Sequence, residues 1–172
     1  MNKTLLQILS PPNMAPRTHL WNQVETELHV CLPHDYKKLI DIYGCGSINE
    51  FLWFLSPFVE NEWLNLNKRF KFLKDAHLLS KEVLPQYTPP YNFYDGETGL
   101  FPWAFTDNGD VLYWNFGATS GEVVVINSRN WEYDAYQMEI SDFLVLLLEN
   151  KLESKIFPPD FVREENYFSP LK

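Results

Sequence analysis

The residues able to do chemistry are few, and their spacing works against them. The four histidines, His19, His29, His34 and His77, form no H-E-x-x-H pair, and no C-x-x-C accompanies them. The spacing that sets two imidazoles and a thiolate pair around zinc is therefore missing. Asp107-x-x-Asp110 lacks the further oxygen donors a calcium loop requires, so a hairpin turn is the reading. Gly117-Ala-Thr-Ser-Gly121 is not G-x-S-x-G, and no strand–turn–helix follows it. Gly44-Cys45-Gly46-Ser47 would offer a thiol near His29 or His34, but at a helix C-terminus, where the dipole raises a thiol pKa. There is no phosphate loop or dinucleotide fingerprint. The sequence therefore points away from an enzyme, and it calls for no cofactor and no metal. A hydrolase or small-ligand binder using a pocket between sheet and helices stays as an alternative.

Charge is the more telling property. The chain of 172 residues has a formal net charge of −9. That disfavours direct nucleic-acid binding, which needs Lys and Arg to displace counterions, and equally an anionic membrane surface. No run of 18 apolar residues and no signal peptide is visible, so a cytoplasmic protein is expected. The acids concentrate between 91 and 140: Asp95, Glu97, Asp107, Asp110, Glu122, Glu132, Asp134 and Glu139 stand against Arg129 alone. Tyr113, Trp131, Tyr133 and Tyr136 lie among them, and Tyr and Trp are frequent binding hot spots. Two readings follow: a solvated sheet face, or an acidic, aromatic plate for a basic partner. The plate would consist of Asp107, Asp110, Glu122, Glu132 and Asp134, with Trp131 and Tyr133 as anchors. Strand alternation allows only one of those two to face outward.

The elements that must position these groups are readable from periodicity. Residues 3–9 allow a turn or two of helix. Trp21, Val24 and Leu28 make one helical face, with Thr18 as its cap. Pro33 suits the first turn of a second helix, along which Tyr36, Leu39, Ile40 and Tyr43 repeat before Gly44 stops it. Ser47–Leu55 reads as a buried strand. A long helix is expected over about 60–83, its apolar face formed by Trp63, Leu66, Phe70, Leu73 and Ala76. Its other side is basic, with Lys68, Arg69, Lys71, Lys74 and Lys81, and Pro85 helps to end it. Strands at 101–106, 111–116, 122–127 and 131–137, with Asn108-Gly109 at a hairpin tip, form an antiparallel meander. Ser141 caps a last helix. The tail from Phe157 keeps enough large apolar residues to pack onto the domain. Cys31 and Cys45 are too few for a disulfide framework and read as buried free thiols, with a bond between them as the alternative. At 45% hydrophobic and 16% aromatic residues the chain can bury a core unaided, which argues for one domain.

Three stretches in order carry a resemblance. Trp21…Glu25…Leu32-Pro33…Asp35-Tyr36…Tyr43-Gly44…Gly46 is followed by Phe101-Pro102-Trp103-Ala104-Phe105-Thr106-Asp107-Asn108-Gly109-Asp110 with Leu112-Tyr113-Trp114, and then by Ile140-Ser141-Asp142-Phe143-Leu144. Together they resemble the signature of the SUKH superfamily, or SMI1/KNR4 family, over 20–152, leaving an extension at 1–17 and a tail at 153–172. The resemblance implies an α+β fold, a mostly antiparallel sheet of five to six strands flanked by helices, with Trp103 and Trp114 in its core. It also implies a binding protein without a catalytic motif. Bacterial relatives of this kind are immunity proteins that block a cognate toxin, often a nuclease, and fungal ones are scaffolds in cell-wall signalling. The expected partner is thus a basic protein toxin whose cleft the acidic plate occludes, with a protein-interaction adaptor as the alternative. The chain is expected to be a monomer or weak dimer. The basic helix at 60–83 departs from the pattern, so the family's usual surface is not carried over to it.

Overall fold

The computed structural model describes residues 3–13, 20–84, 86–118 and 121–171. Thr18, the expected cap, as well as His19, Pro85 and Ser120, lie outside them. The helices are α1 (Lys3–Ile8), α2 (Trp21–Leu28), α3 (His34–Tyr43), α4 (Leu66–Val83) and α5 (Ile140–Leu148). The strands are β1 (Gly46–Ile48), β2 (Leu52–Phe54), β3 (Gly99–Thr106), β4 (Val111–Phe116), β5 (Val123–Ile126), β6 (Tyr133–Tyr136) and β7 (Phe168–Pro170). The fold is α+β. All strands join one antiparallel sheet in the order β6-β5-β4-β3-β2-β1-β7.

The helical opening forms as its periodicity demands. Val24, Tyr36, Leu39, Ile40 and Tyr43 are buried, and α2 ends on His29 in the left-handed conformation at φ 51°. Pro33 stands one place earlier than expected, at the N-cap of α3, where its missing N–H costs nothing. Glu25 binds the α2–α3 turn: its Oε1 accepts the Leu32 N–H and the Lys37 ammonium, each at 2.8 Å. Trp21 packs edge-on against Tyr36 and Phe58, and Tyr36 donates to the Leu55 carbonyl at 2.7 Å. The signature residues therefore lock helices to sheet.

Four expectations need correction. Ser47–Leu55 is a hairpin rather than one strand, because Asn49 and Glu50 turn the chain at φ 53° and 58°. The long helix begins at Leu66, not near Glu60. Asn65 caps it by accepting the Lys68 N–H at 3.0 Å, and Trp63 is left 63% exposed ahead of it. Ser141 does not cap α5. Its N–H donates instead to the carboxylate of Asp35 on α3 at 3.2 Å, so the cap comes from another helix. Finally, the tail adds a seventh strand. A Cβ on Gly46 would lie 2.3 Å from the Ser169 carbonyl oxygen, so β7 can approach β1 only past a glycine.

The two sheet faces carry different cores, since neighbours along a strand point oppositely. Leu112, Trp114, Val123 and Val125 belong to the main cluster with Tyr36, Tyr43, Phe54, Trp103 and Phe143. Val111, Tyr113 and Val124 belong to a smaller one with Leu100. A bulge between Pro102 and Ala104 accommodates fully buried Trp103, which stacks on Trp114 at 6.4 Å. Leu66 and Phe70 at the start of α4 reach the main cluster, whereas Leu73 reaches the second. Phe161 and Phe168 pack the tail onto the main cluster.

Both cysteines are free thiols, but only Cys45 is buried; Cys31 is exposed in the α2–α3 turn. Cys45 donates to the Phe54 carbonyl, and burial pushes its thiol up to about 12. A thiol reagent at about pH 8 is therefore expected to modify one cysteine per native chain, Cys31, and the second only on unfolding. Mass spectrometry of the labelled peptides checks this, and equal labelling of the native protein would contradict it.

Candidate partner-binding surface

The expected acidic plate resolves into residues with different duties. Asp107 lies at the β3–β4 turn, exposed, and accepts the Trp53 indole N–H at 2.7 Å. Asp110, three residues on, is completely buried. Its carboxylate accepts the Thr106 hydroxyl at 3.0 Å and the Ser128 N–H at 3.3 Å, and its own N–H donates to the Thr106 hydroxyl at 3.1 Å. Its charge thus ties the β3–β4 turn to the β5–β6 turn and offers nothing to a partner. Glu122 stands at the far end of β5, half-buried, accepting from Asn115 and Gln137. Asp134 alternates with Tyr133 and so turns to the main-core side, where it accepts the Ser154 hydroxyl at 2.7 Å and the Lys155 N–H at 2.9 Å. The acids do not share one face.

The aromatic pair behaves differently from expectation as well. Trp131 precedes β6 in the left-handed conformation at φ 64°, so strand alternation does not govern it. Both rings are outward: Trp131 is 45% and Tyr133 46% exposed. Each leans on a second ring from the segment after α4, Trp131 edge-on to Tyr87 at 4.7 Å and Tyr133 edge-on to Tyr91 at 5.4 Å. Tyr87 is itself anchored by His77 of α4, whose Nδ1 lies 2.8 Å from its hydroxyl. Burial, and then Lys81, lower the His77 pKa, which favours the neutral ring in this contact. Burial raises the Tyr91 hydroxyl pKa, with Glu122 and Tyr133 adding to it.

Tyr87, Tyr91 and Trp131 border an apolar cavity of about 90 Å³ between α4, the 86–93 segment and the second sheet face, lined also by Leu73, His77, Tyr113 and Ile126. It is too small for most ligands, whose pockets span roughly 300–1,000 Å³. Among the described residues no three His, Cys, Asp or Glu gather as metal ligands, and no helix is long and apolar enough to cross a membrane. The arrangement suits contact with a surface. It presents two supported aromatic rings, with exposed Glu132 between them in sequence and Glu122 and Asp107 toward the ends of the same sheet half.

Tyr87 and Tyr91 were not among the residues expected at this surface. Aromatics flanking a Pro-Pro pair, outside any regular element, were the available signal: prolines stiffen a segment that can then hold rings in place.

Comparison with known proteins reaches the family and stops there. A SUKH family model, described as SMI1-KNR4 cell-wall, matches residues 18–144. No curated protein and no solved structure matches the chain.

Proposed function

Because the chain belongs to the SMI1-KNR4 family of the SUKH group, we propose that it acts by binding a protein partner, as a cytoplasmic immunity protein that occludes a cognate toxin. The toxin is a basic one, of nuclease type. The observation that carries this reading is the pair of exposed, ring-supported aromatics, Trp131 and Tyr133, on an acidic half of the sheet. Such rings lose little conformational freedom on binding, because Tyr87 and Tyr91 already hold them. Around them Asp107, Glu122 and Glu132 supply the negative field that steers a basic partner. Asp110 and Asp134 serve this surface only indirectly, by fixing the turn and the tail beside it.

The test begins with recovery of the partner from the native strain, followed by affinity measurements on surface variants. Tyr133→Ala is expected to weaken binding at least tenfold, about 1.4 kcal/mol, in the hot-spot range. Paired reversal, Asp107→Lys with Glu132→Lys, is expected to slow association and flatten its dependence on salt. Both variants should melt as the parent does, since the residues are exposed. Unchanged affinity and salt dependence would place the interface elsewhere, and a partner that is not a toxin would favour the adaptor reading.

A further inference from the structure

The outer side of α4 presents a second surface that the sheet does not use. Its inner side is occupied by Leu66, Phe70, Leu73 and His77. Beside that, Phe72, Ala76, Leu79 and Val83 recur at intervals of four, three and four, the spacing of an apolar helical seam. All four are exposed, Phe72, Leu79 and Val83 by 56%, 58% and 56%. Trp63 sits edge-on to Phe72 at 6.3 Å and lengthens the patch. A lone exposed leucine needs no explanation, but a continuous stripe about 16 Å long does.

We propose that this stripe pairs with the same stripe of a second copy, making a reversible antiparallel dimer. The occupant follows from the sizes and charges along the helix. A two-fold axis midway between Ala76 and Leu79 sets Ala76 against the partner's Leu79, a small residue opposite a large one, and Phe72 against the partner's Val83. Every contact is then made twice, as an isologous interface requires. The same operation brings Lys71 within two residues of the partner's Glu82, about 3 Å along the axis, and Glu82 as close to the partner's Lys71. One flank of the stripe carries Lys68, Lys71, Asp75 and Glu82, so two bases and two acids meet their copies there, while on the other side Arg69 lies over the rings of Trp63 and Phe72, at 5.7 and 5.5 Å. The acidic half of the sheet could not meet itself in this way.

The area sets the strength. At about 150–200 Å² for a large apolar side chain, the exposed parts of Trp63, Phe72, Leu79 and Val83 come to roughly 400 Å² per copy. Lysine stems at the rim bring the total over both copies to about 1,000 Å², below the roughly 1,200–2,000 Å² of stable complexes. The dimer therefore dissociates in the micromolar range.

Sedimentation velocity of the whole protein, with reductant because Cys31 is exposed, should show a monomer–dimer equilibrium between about 1 and 300 µM. Leu79→Glu is expected to sediment as a monomer throughout, at least about 100-fold weaker, and still to melt within about 2 °C of the parent. Lys71→Glu and Glu82→Lys should each weaken the dimer, and the double variant should restore it to within about threefold. A monomer at every concentration overturns the proposal, as does a dimer indifferent to Leu79→Glu or a double variant that fails to recover. A monomer whose Leu79→Glu variant instead loses a different protein would assign the stripe to that protein and overturn the dimer equally.

Discussion

Asp110→Ala is expected to destabilise the protein by about 3 kcal/mol, a fall in Tm of roughly 6–12 °C for a chain of this size. The carboxylate is fully buried and accepts from Thr106 and Ser128. Alanine leaves both donors without their partner, and an unmade buried hydrogen bond costs about 1–3 kcal/mol. Asp110→Asn keeps an acceptor for the Ser128 N–H and should lose only about 1 kcal/mol. Thr106→Val removes the hydroxyl from the other side, so the double variant with Asp110→Ala should cost less than the two singles together. Additive losses would show that the pair does not act as one staple. Asp107→Lys, on the exposed residue three positions earlier, should leave Tm almost unmoved. Two aspartates of one turn thus separate cleanly, one in folding and one at the surface.

Asn49→Ala is expected to cost a similar amount, about 3 kcal/mol, and to loosen the C-terminal tail before the rest of the molecule. Asn49 is 3% exposed. Its amide donates to the Phe161 carbonyl at 2.9 Å and to the Asn166 side chain at 2.8 Å, while its carbonyl oxygen accepts the Tyr167 N–H at 3.1 Å. One side chain therefore docks three points of a tail more than 100 positions away in sequence. Asn49 also holds φ 53°, which asparagine tolerates better than alanine. Asn49→Gly removes that strain and should recover only about 1 kcal/mol, because the tail bonds stay lost. Limited proteolysis should cut Asn49→Ala first after residue 160. If cleavage there matches the parent, the tail is held by Phe161, Phe168 and β7 pairing instead.

How much was legible follows from the range of the forces involved. Local chemistry was visible. Apolar spacing placed α2, α3 and the β3–β6 meander, and Asn108-Gly109 marked a turn whose Gly109 has φ 87°. The Trp21–Gly46 block marked the family by the order of its residues, and some of them act over short spans, as Glu25 does on Leu32 and Lys37. Its longer links, Tyr36 to Leu55 and Asp35 to Ser141 of α5, are not visible in local spacing.

What escaped depended on partners distant in the chain. Trp63 and Ala76 looked like core because their spacing is helical, but spacing cannot say which side of a helix the sheet will cover. Asp35 capping α5 and Asn49 docking the tail join residues that only folding brings together. The same holds for the surface. Residue counts along the chain marked the 91–140 segment as acidic and rich in rings. Tertiary structure decided which groups are presented. It buried Asp110, turned Asp134 to the other face, and set Tyr87 and Tyr91 behind Trp131 and Tyr133. The physical reason is that a carboxylate has the same formal charge wherever it stands, whereas its availability depends on solvent access and on donors that arrive from elsewhere in the fold.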